Sequence, residues 1–578
     1  MGNCRFINNL NKLRKSSSDS IDDVNSFDSF KKYMHVERNV EVDLISILKH
    51  VEETGRKTLV LVCGSAGDGK SHLLSYLKNE VQLLNGYKVY NDATESSMPT
   101  KTAIETLNEE LKDFKDENLE LPGQNIIMAI NLGVLSNFIE SEFGASFTNL
   151  KAYVEQNHIL TNELNYNVVD ENSSFQYVSF SDYHMYHLSE DGPKPVYIEQ
   201  LLEKVFAKNE ENTFYRSYTK NCCGCSNHTN CPIKTRCPVK HNFEYLTIES
   251  NRKYVAQSLV EVIIKDKEVL TTREILNYIY DIVVPQGFQE NSIVSKSIID
   301  DLFLNEYIKD ITPMLMYEYQ DVSNLMNKVK RYDPVLCRSQ SADKDTILYY
   351  VTSDVSDFVT NIVKNTPYNE ILGKKNVMEK INKNKNLKLL MFNVITRIQV
   401  MKKELVPEVS YSKFVRSLYF YNAGIGIQMR PVYNLVNNAV RQWCGYEDDD
   451  NICLKEMSNG ISLYENIRFN ADISDLKKIG QVTELQKFRP TIGIKYTGKK
   501  GEVIDLQVDY SLYSLLHKLT NGYIQTADDR NNHANFVSFV NKILKTGTAD
   551  ESLLVILSDG TKAKIENGQF GYTFKRVK

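Results

Sequence analysis

Apolar residues recur at helical spacing through VEVDLISILKHVEET from Val40, then close up into the unbroken run Leu59–Val62. So short a run, rich in β-branching, suits a strand buried on both faces of a parallel sheet. Further strands are predicted at Tyr87–Tyr90, Asn125–Ile130 and Tyr177–Phe180, with helical stretches such as Lys101–Phe114 and Val196–Phe206. Strands alternating with helices predict βαβ units in an α/β domain. The first forty residues, including the polar stretch Ser16–Ser20, show little periodicity and are expected to form a loosely packed arm without a functional role.

From Asn251 to about Gly445 the spacing becomes helical, as in REILNYIYDIV and PVYNLVNNAVRQW. The remainder returns to short β-like runs, TIGIKY, GEVIDLQVDY, SLLVIL and FGYTFKRV, around helices at Leu512–Thr520 and His533–Lys545. Five segments are therefore expected: an arm (1–40), an α/β core (41–215), a cysteine-rich knuckle (216–245), a helical lid or middle region (246–445) and an α+β C-terminal domain (446–578). No fixed-period repeat is visible, which argues against a solenoid.

A chain of 578 residues is too long for a single core, and 42% hydrophobic with 25% charged residues is the composition of a folded protein. No apolar run approaches the roughly 18 residues that span a bilayer, and MGNCRFINNLNKLRK lacks the apolar block of a secretory signal. A cytoplasmic location without membrane contact is expected. Phe6 stands where an acylation signal starting at Gly2 wants Ser or Thr, so that signal carries no weight. A net charge of −5 rules out a coat of positive charge but leaves room for a local nucleic-acid groove.

Gly64-Ser65-Ala66-Gly67-Asp68-Gly69-Lys70-Ser71 has the spacing of a phosphate-binding loop, between an apolar strand and the helix-like HLLSYLKNEVQLL. Glycines and small residues let backbone N–H groups curl round a β-phosphate. Lys70 is expected to reach the β/γ oxygens and Ser71 to ligate magnesium. The fold class read from this is α/β: a P-loop NTPase core with an AAA-like parallel sheet, followed by the insertion, the lid and the small α+β domain.

Hydrolysis also needs a carboxylate for the magnesium shell and a polar group for the attacking water. Asp92, with Glu95 three residues on, follows the short run Lys88–Asn91 and is read either as that carboxylate or as a strand-terminating cap. Asn131 ends the strongest second strand; it either orients water at the γ-phosphate or caps the segment that follows. Arg273, in the first turn of an amphipathic helix, is read either as a lid arginine directed to the nucleotide or as a solvated surface residue.

Cys222, Cys223, Cys225, Cys231 and Cys237 fall within sixteen residues, with His228 and His241 as spare donors. Cys222, Cys225, Cys231 and Cys237 are expected to hold zinc, with an iron–sulfur cluster and plain structural thiols as alternatives. Lys374, Lys375, Lys380, Lys383, Lys385 and Lys388, followed by Lys402 and Lys403, form a basic stretch that either holds a phosphate backbone or is a solvated helix face.

The run Leu61–Ser71, then Asn91-Asp92-Ala93-Thr94-Glu95-Ser96, Thr102–Leu107 and Ala129–Gly133, resembles the DptF family of DNA phosphorothioation-dependent restriction proteins. The similarity extends through Cys237-Pro238-Val239 and Thr272-Arg273-Glu274 to Asp509–Tyr513, most of the chain. The resemblance implies an ATPase in bacterial antiviral defence, acting with DptG and DptH on foreign DNA that lacks sulfur modification. It favours ATP as the nucleotide. No nuclease motif is visible, so cleavage falls to a partner or to the assembled complex, and double-stranded DNA is engaged by this chain or only by the complex. A homo-oligomer is also open. Two other readings stand beside this one: a scaffold ATPase that switches on nucleotide binding with little turnover, and a DNA-reading module in which the knuckle and basic helices matter more than ATP.

Overall fold

The computed structural model describes residues 4–14, 27–91, 102–161, 164, 166–223, 233, 235–289, 300–318, 323–336, 340–402, 408–448, 450–474, 476, 483–498, 501–547, 551–569 and 571–577. The chain divides into two compact units, Met1–His187 with Lys194–Ile263 and Lys267–Val406, and Leu188–Pro193 with Ile264–Asp266 and Pro407–Lys578.

At the heart of the first unit is a four-stranded sheet in which every pairing is parallel, ordered β2-β3-β1-β4. Its strands are β1 (Leu59–Cys63), β2 (Lys88–Tyr90), β3 (Ile126–Ile130) and β4 (Phe175–Ser179). Every residue of β1 and β3 is buried, as the unbroken apolar runs predict. The two-residue period sorts them between two cores. Leu59, Leu61, Cys63, Ile126, Met128 and Ile130 pack with Leu135, Phe138 and Leu150. Val60, Val62, Ile127 and Ala129 pack with Leu44, Ile47 and Leu48 from the helix Asn39–Thr54. The register pairs Cys63 with Ile130 on one side and with Ser179 on the other, so three strands end together at one edge.

The N-terminal stretch is not loosely packed throughout. The helix Arg5–Leu10 buries Phe6, Ile7 and Leu10, and Ser29–Met34 buries Met34. Ser16–Ser20 lies outside the described residues.

Helices make up most of the rest of this unit, among them Pro238–Leu246, Thr272–Asp281, Thr312–Glu318 and Lys385–Lys402. Asn242 ties several together: its amide donates to Val283 O at 3.1 Å and Asp310 O at 2.9 Å, and its oxygen accepts from Thr312 N at 2.8 Å. Arg397, 1% exposed, is held by Asp333 at 2.6 Å and Glu318 at 2.8 Å.

The second unit is α+β. The hairpin Ile492–Thr497 and Val503–Val508 buries alternate residues, the mark of a sheet covered on one face. A five-stranded antiparallel sheet runs Gly571–Val577, Lys562–Gly568, Ser552–Ile556, Ser462–Asn466, Asn451–Glu456. The helices Val409–Asn422 and Arg430–Cys444 group with these strands.

Candidate functional site

β1 leads into the glycine loop, and the helix Lys70–Tyr76 leaves it. Gly67 at φ +89° and Gly69 at φ +102° take left-handed backbone that other residues avoid. Gly64 is needed for a different reason, because a β-carbon there would meet Asp68 Oδ2 at 2.9 Å and Phe180 Cβ at 3.0 Å. The loop is tied to the neighbouring strand by Gly64 N donating to Ile130 O at 3.2 Å.

Lys70 crosses its own loop. Its Nζ donates to Gly64 O at 2.8 Å and Ser65 O at 2.7 Å, which keeps the ammonium beside the backbone that would cradle a phosphate. Asp68 accepts from Ser65 N at 2.5 Å and is 8% exposed. Burial lifts its carboxyl above the ordinary range, against the opposing pull of Ser65 N–H, Lys70 and Arg38. Cys63 lies under the loop, fully buried, and burial with the charge of Asp182 pushes its thiol up to about 12. It is therefore an inert packing thiol.

Two distant segments converge on this loop. Arg38 donates to Asp68 O at 3.0 Å and Tyr183 O at 3.2 Å. Its guanidinium lies 5.0 Å from the ring centres of both Phe180 and Tyr197. Thr271 is the second: a β-carbon on Gly67 would lie 3.3 Å from it. Thr271 caps the helix Thr272–Asp281 in a capping box with Glu274, and Thr272 Oγ1 lies 2.9 Å from Tyr197 Oη. The half-buried Arg273 thus belongs to a first helical turn that starts at the loop.

His72, next to Ser71, reaches back to the segment before β1. Its Nε2 lies 3.1 Å from His35 Nδ1, and His35 Nε2 lies 3.3 Å from Glu41 Oε2. A polar chain thus runs from His72 through His35 to Glu41. His35 also stacks on Tyr76 with ring centres 3.8 Å apart. Burial, reinforced by His35 and Lys31, pushes His72 down to about 4.

Of the other predicted residues, Asn131 caps the helix Leu132–Glu140, accepting from Gly133 N at 2.9 Å. It sits where β3 ends, one strand from the loop. Asp92 and Glu95 lie outside the described residues; β2, which precedes them, pairs with β3. Cys222 and Cys237 are half-buried, while Cys223 ends a helical turn and Cys225, Cys231 and His228 lie outside the described residues. His241 is not a spare donor: it is fully buried, with Nδ1 2.7 Å from Tyr307 Oη and Nε2 3.1 Å from Glu370. Among the described residues no three His, Cys, Asp or Glu side chains gather as a metal site.

The basic stretch is partly committed to structure. Lys388 donates to Thr352 O at 2.7 Å and Lys402 to Ile362 O, whereas Lys374, Lys375, Lys383 and Lys385 are exposed. Lys403 lies outside the described residues.

Sequence reasoning missed Arg38 and Thr271, which have no spacing relation to the loop. Among the described residues no helix is long and apolar enough to cross a membrane. Protein-family models, curated proteins and solved structures were all compared with the chain, and none matches.

Proposed function

We propose that this chain is a P-loop ATPase, its phosphate site formed by Gly64–Ser71 at the edge of an AAA-like parallel sheet. The observation that carries the reading is the loop itself. Between a buried strand and a helix N-terminus, its glycines free the backbone to turn, and Lys70 lies across its carbonyls. Phosphate oxygens would draw Lys70 off Gly64 O and Ser65 O and accept from the loop N–H groups.

Ser71, in the first turn of the helix, supplies a hydroxyl suited to magnesium, whose charge would offset that of the phosphates. Asp92, Glu95, Asn131 and Arg273 are the residues assigned to the metal shell, the water and the developing charge. The order β2-β3-β1-β4 supports this assignment, since it sets the ends of β3 and β2 in succession beside the loop. Cys222, Cys225, Cys231 and Cys237 would supply four thiolates, a set suited to tetrahedral zinc.

The resemblance to the DptF family supports a role in phosphorothioation-dependent restriction, with ATP driving DNA engagement or activation of cleavage by DptG and DptH. One observation favours a nucleotide-binding scaffold instead: the Asn131 oxygen already serves as a helix cap. Phosphate release by wild type and Lys70→Ala, with and without DNA, separates the two. Turnover lost in the variant supports the ATPase; nucleotide binding without turnover supports the scaffold.

A further inference from the structure

Asp68 is the one acidic residue of Gly64–Ser71, and its side chain folds back under the loop. Its Oδ2 accepts from Ser65 N at 2.5 Å and stands 2.9 Å from the place a β-carbon on Gly64 would take. The residue is buried. The backbone closes the same ring from the other side, with Asp68 N donating to Ser65 O at 3.4 Å. Ser65 O accepts from Lys70 Nζ as well, at 2.7 Å. Two donors suited to a phosphate, the Asp68 N–H and the Lys70 ammonium, thus share one carbonyl, while the Asp68 carboxylate takes the N–H of that same residue.

A buried carboxylate beside these donors opposes the anion they would hold. Burial and the charge of Glu274 work against its ionised form, whereas Ser65 N–H, Lys70 and Arg38 favour it. Arg38 also fixes the residue through its backbone, donating to Asp68 O at 3.0 Å. Repulsion from a fixed negative charge grows with the net charge of the ligand. Magnesium cancels part of the charge of a polyphosphate, so the metal complex is repelled less than the free nucleotide.

We propose that Asp68 is a positioning and selectivity residue of the phosphate loop: its side-chain oxygen braces Ser65, and its charge selects metal-complexed over free nucleotide by repelling the more highly charged ligand. This role rests on the reading of Gly64–Ser71 as a nucleotide-binding loop and names the form of nucleotide that the loop takes. Its two parts can be separated. Asp68→Asn keeps an acceptor for Ser65 N and removes the charge, whereas Asp68→Ala removes both.

The test is titration of a fluorescent ATP analogue with the full-length chain, in magnesium and in EDTA. Wild type should bind on the order of tenfold tighter with magnesium; equal binding in the two conditions overturns the selectivity whatever the variants do. Asp68→Asn should bind tighter than wild type, on the order of tenfold in EDTA and distinctly less with magnesium. No gain, or the same gain in both conditions, overturns the charge role. Asp68→Ala should bind more weakly than Asp68→Asn in both conditions, because Ser65 N–H loses its acceptor. Equal binding by these two variants overturns the brace. Binding by wild type that Lys70→Ala abolishes and Asp68→Asn leaves unchanged removes this role while the nucleotide-site reading stands. No binding by wild type or Asp68→Asn in either condition sinks both.

Discussion

A β-carbon on Gly67 would stand 3.3 Å from both Cβ and Oγ1 of Thr271, so the glycine loop and the cap of the helix Thr272–Asp281 meet with no side chain between them. This contact joins positions about two hundred residues apart. Gly67→Ala is doubly disfavoured, by that approach and by left-handed backbone that costs about 1–2 kcal/mol for a residue with a β-carbon. Affinity for a fluorescent ATP analogue should fall at least tenfold. Unchanged affinity would show that the loop opens from the helix when it binds.

Arg38 braces the loop from the N-terminal side. Arg38→Ala removes charge-assisted bonds to Asp68 O and Tyr183 O, each worth about 1.5–3 kcal/mol where water is excluded and less at this half-buried position. Thermal unfolding should shift down and nucleotide affinity should drop. Arg38→Lys should rescue little, because an ammonium does not reproduce guanidinium stacking on Phe180 and Tyr197. Full rescue by lysine would reduce the role of Arg38 to simple charge.

The His72–His35–Glu41 chain gives stability a pH dependence of definite sign. His72 is held down to about 4 from an ordinary 6.5, so between these values the unfolded chain binds the extra proton. Its contribution is complete above about 6.5, declines as pH falls towards 4 and changes no further below that. His35, Lys31, Glu41 and Tyr76 surround it in this range. Urea unfolding of His72→Gln should show a shallower acid slope than wild type; equal slopes would place the titration elsewhere.

Asn131 separates capping from chemistry. Asn131→Asp keeps a good helix cap, so stability should stay within about 0.5 kcal/mol, whereas Asn131→Ala should cost about 1 kcal/mol. The aspartate adds negative charge beside the proposed phosphate site and should lower ATP turnover at least tenfold. Normal turnover in Asn131→Asp would leave the residue as a cap alone.

What the sequence made legible depends on contiguity. β1 and β3 stood out because every residue in them is apolar and buried, and the loop stood out because eight adjacent residues define it. β4 was placed two residues late at its start, because Gln176 reads as polar; in the fold it is buried, with its amide donating to Asp170 O at 2.6 Å. Asn451–Glu456, Ser462–Asn466 and Lys562–Gly568 were missed because their polar residues hide the alternation. Phe6, Ile7, Leu10 and Leu13 do follow helical spacing, but the run is too short and too interrupted by asparagine to register. Arg38 and Thr271 reach the loop only through folding, so no local pattern marks them.

The most direct measurement is ATP hydrolysis by wild type and Lys70→Ala, alone and with unmodified or phosphorothioated DNA and the proposed partners DptG and DptH. Steady phosphate release that DNA alters and that Lys70→Ala abolishes is the predicted result. Release at the wild-type rate by Lys70→Ala, or no nucleotide binding by wild type under any of these conditions, would contradict the account.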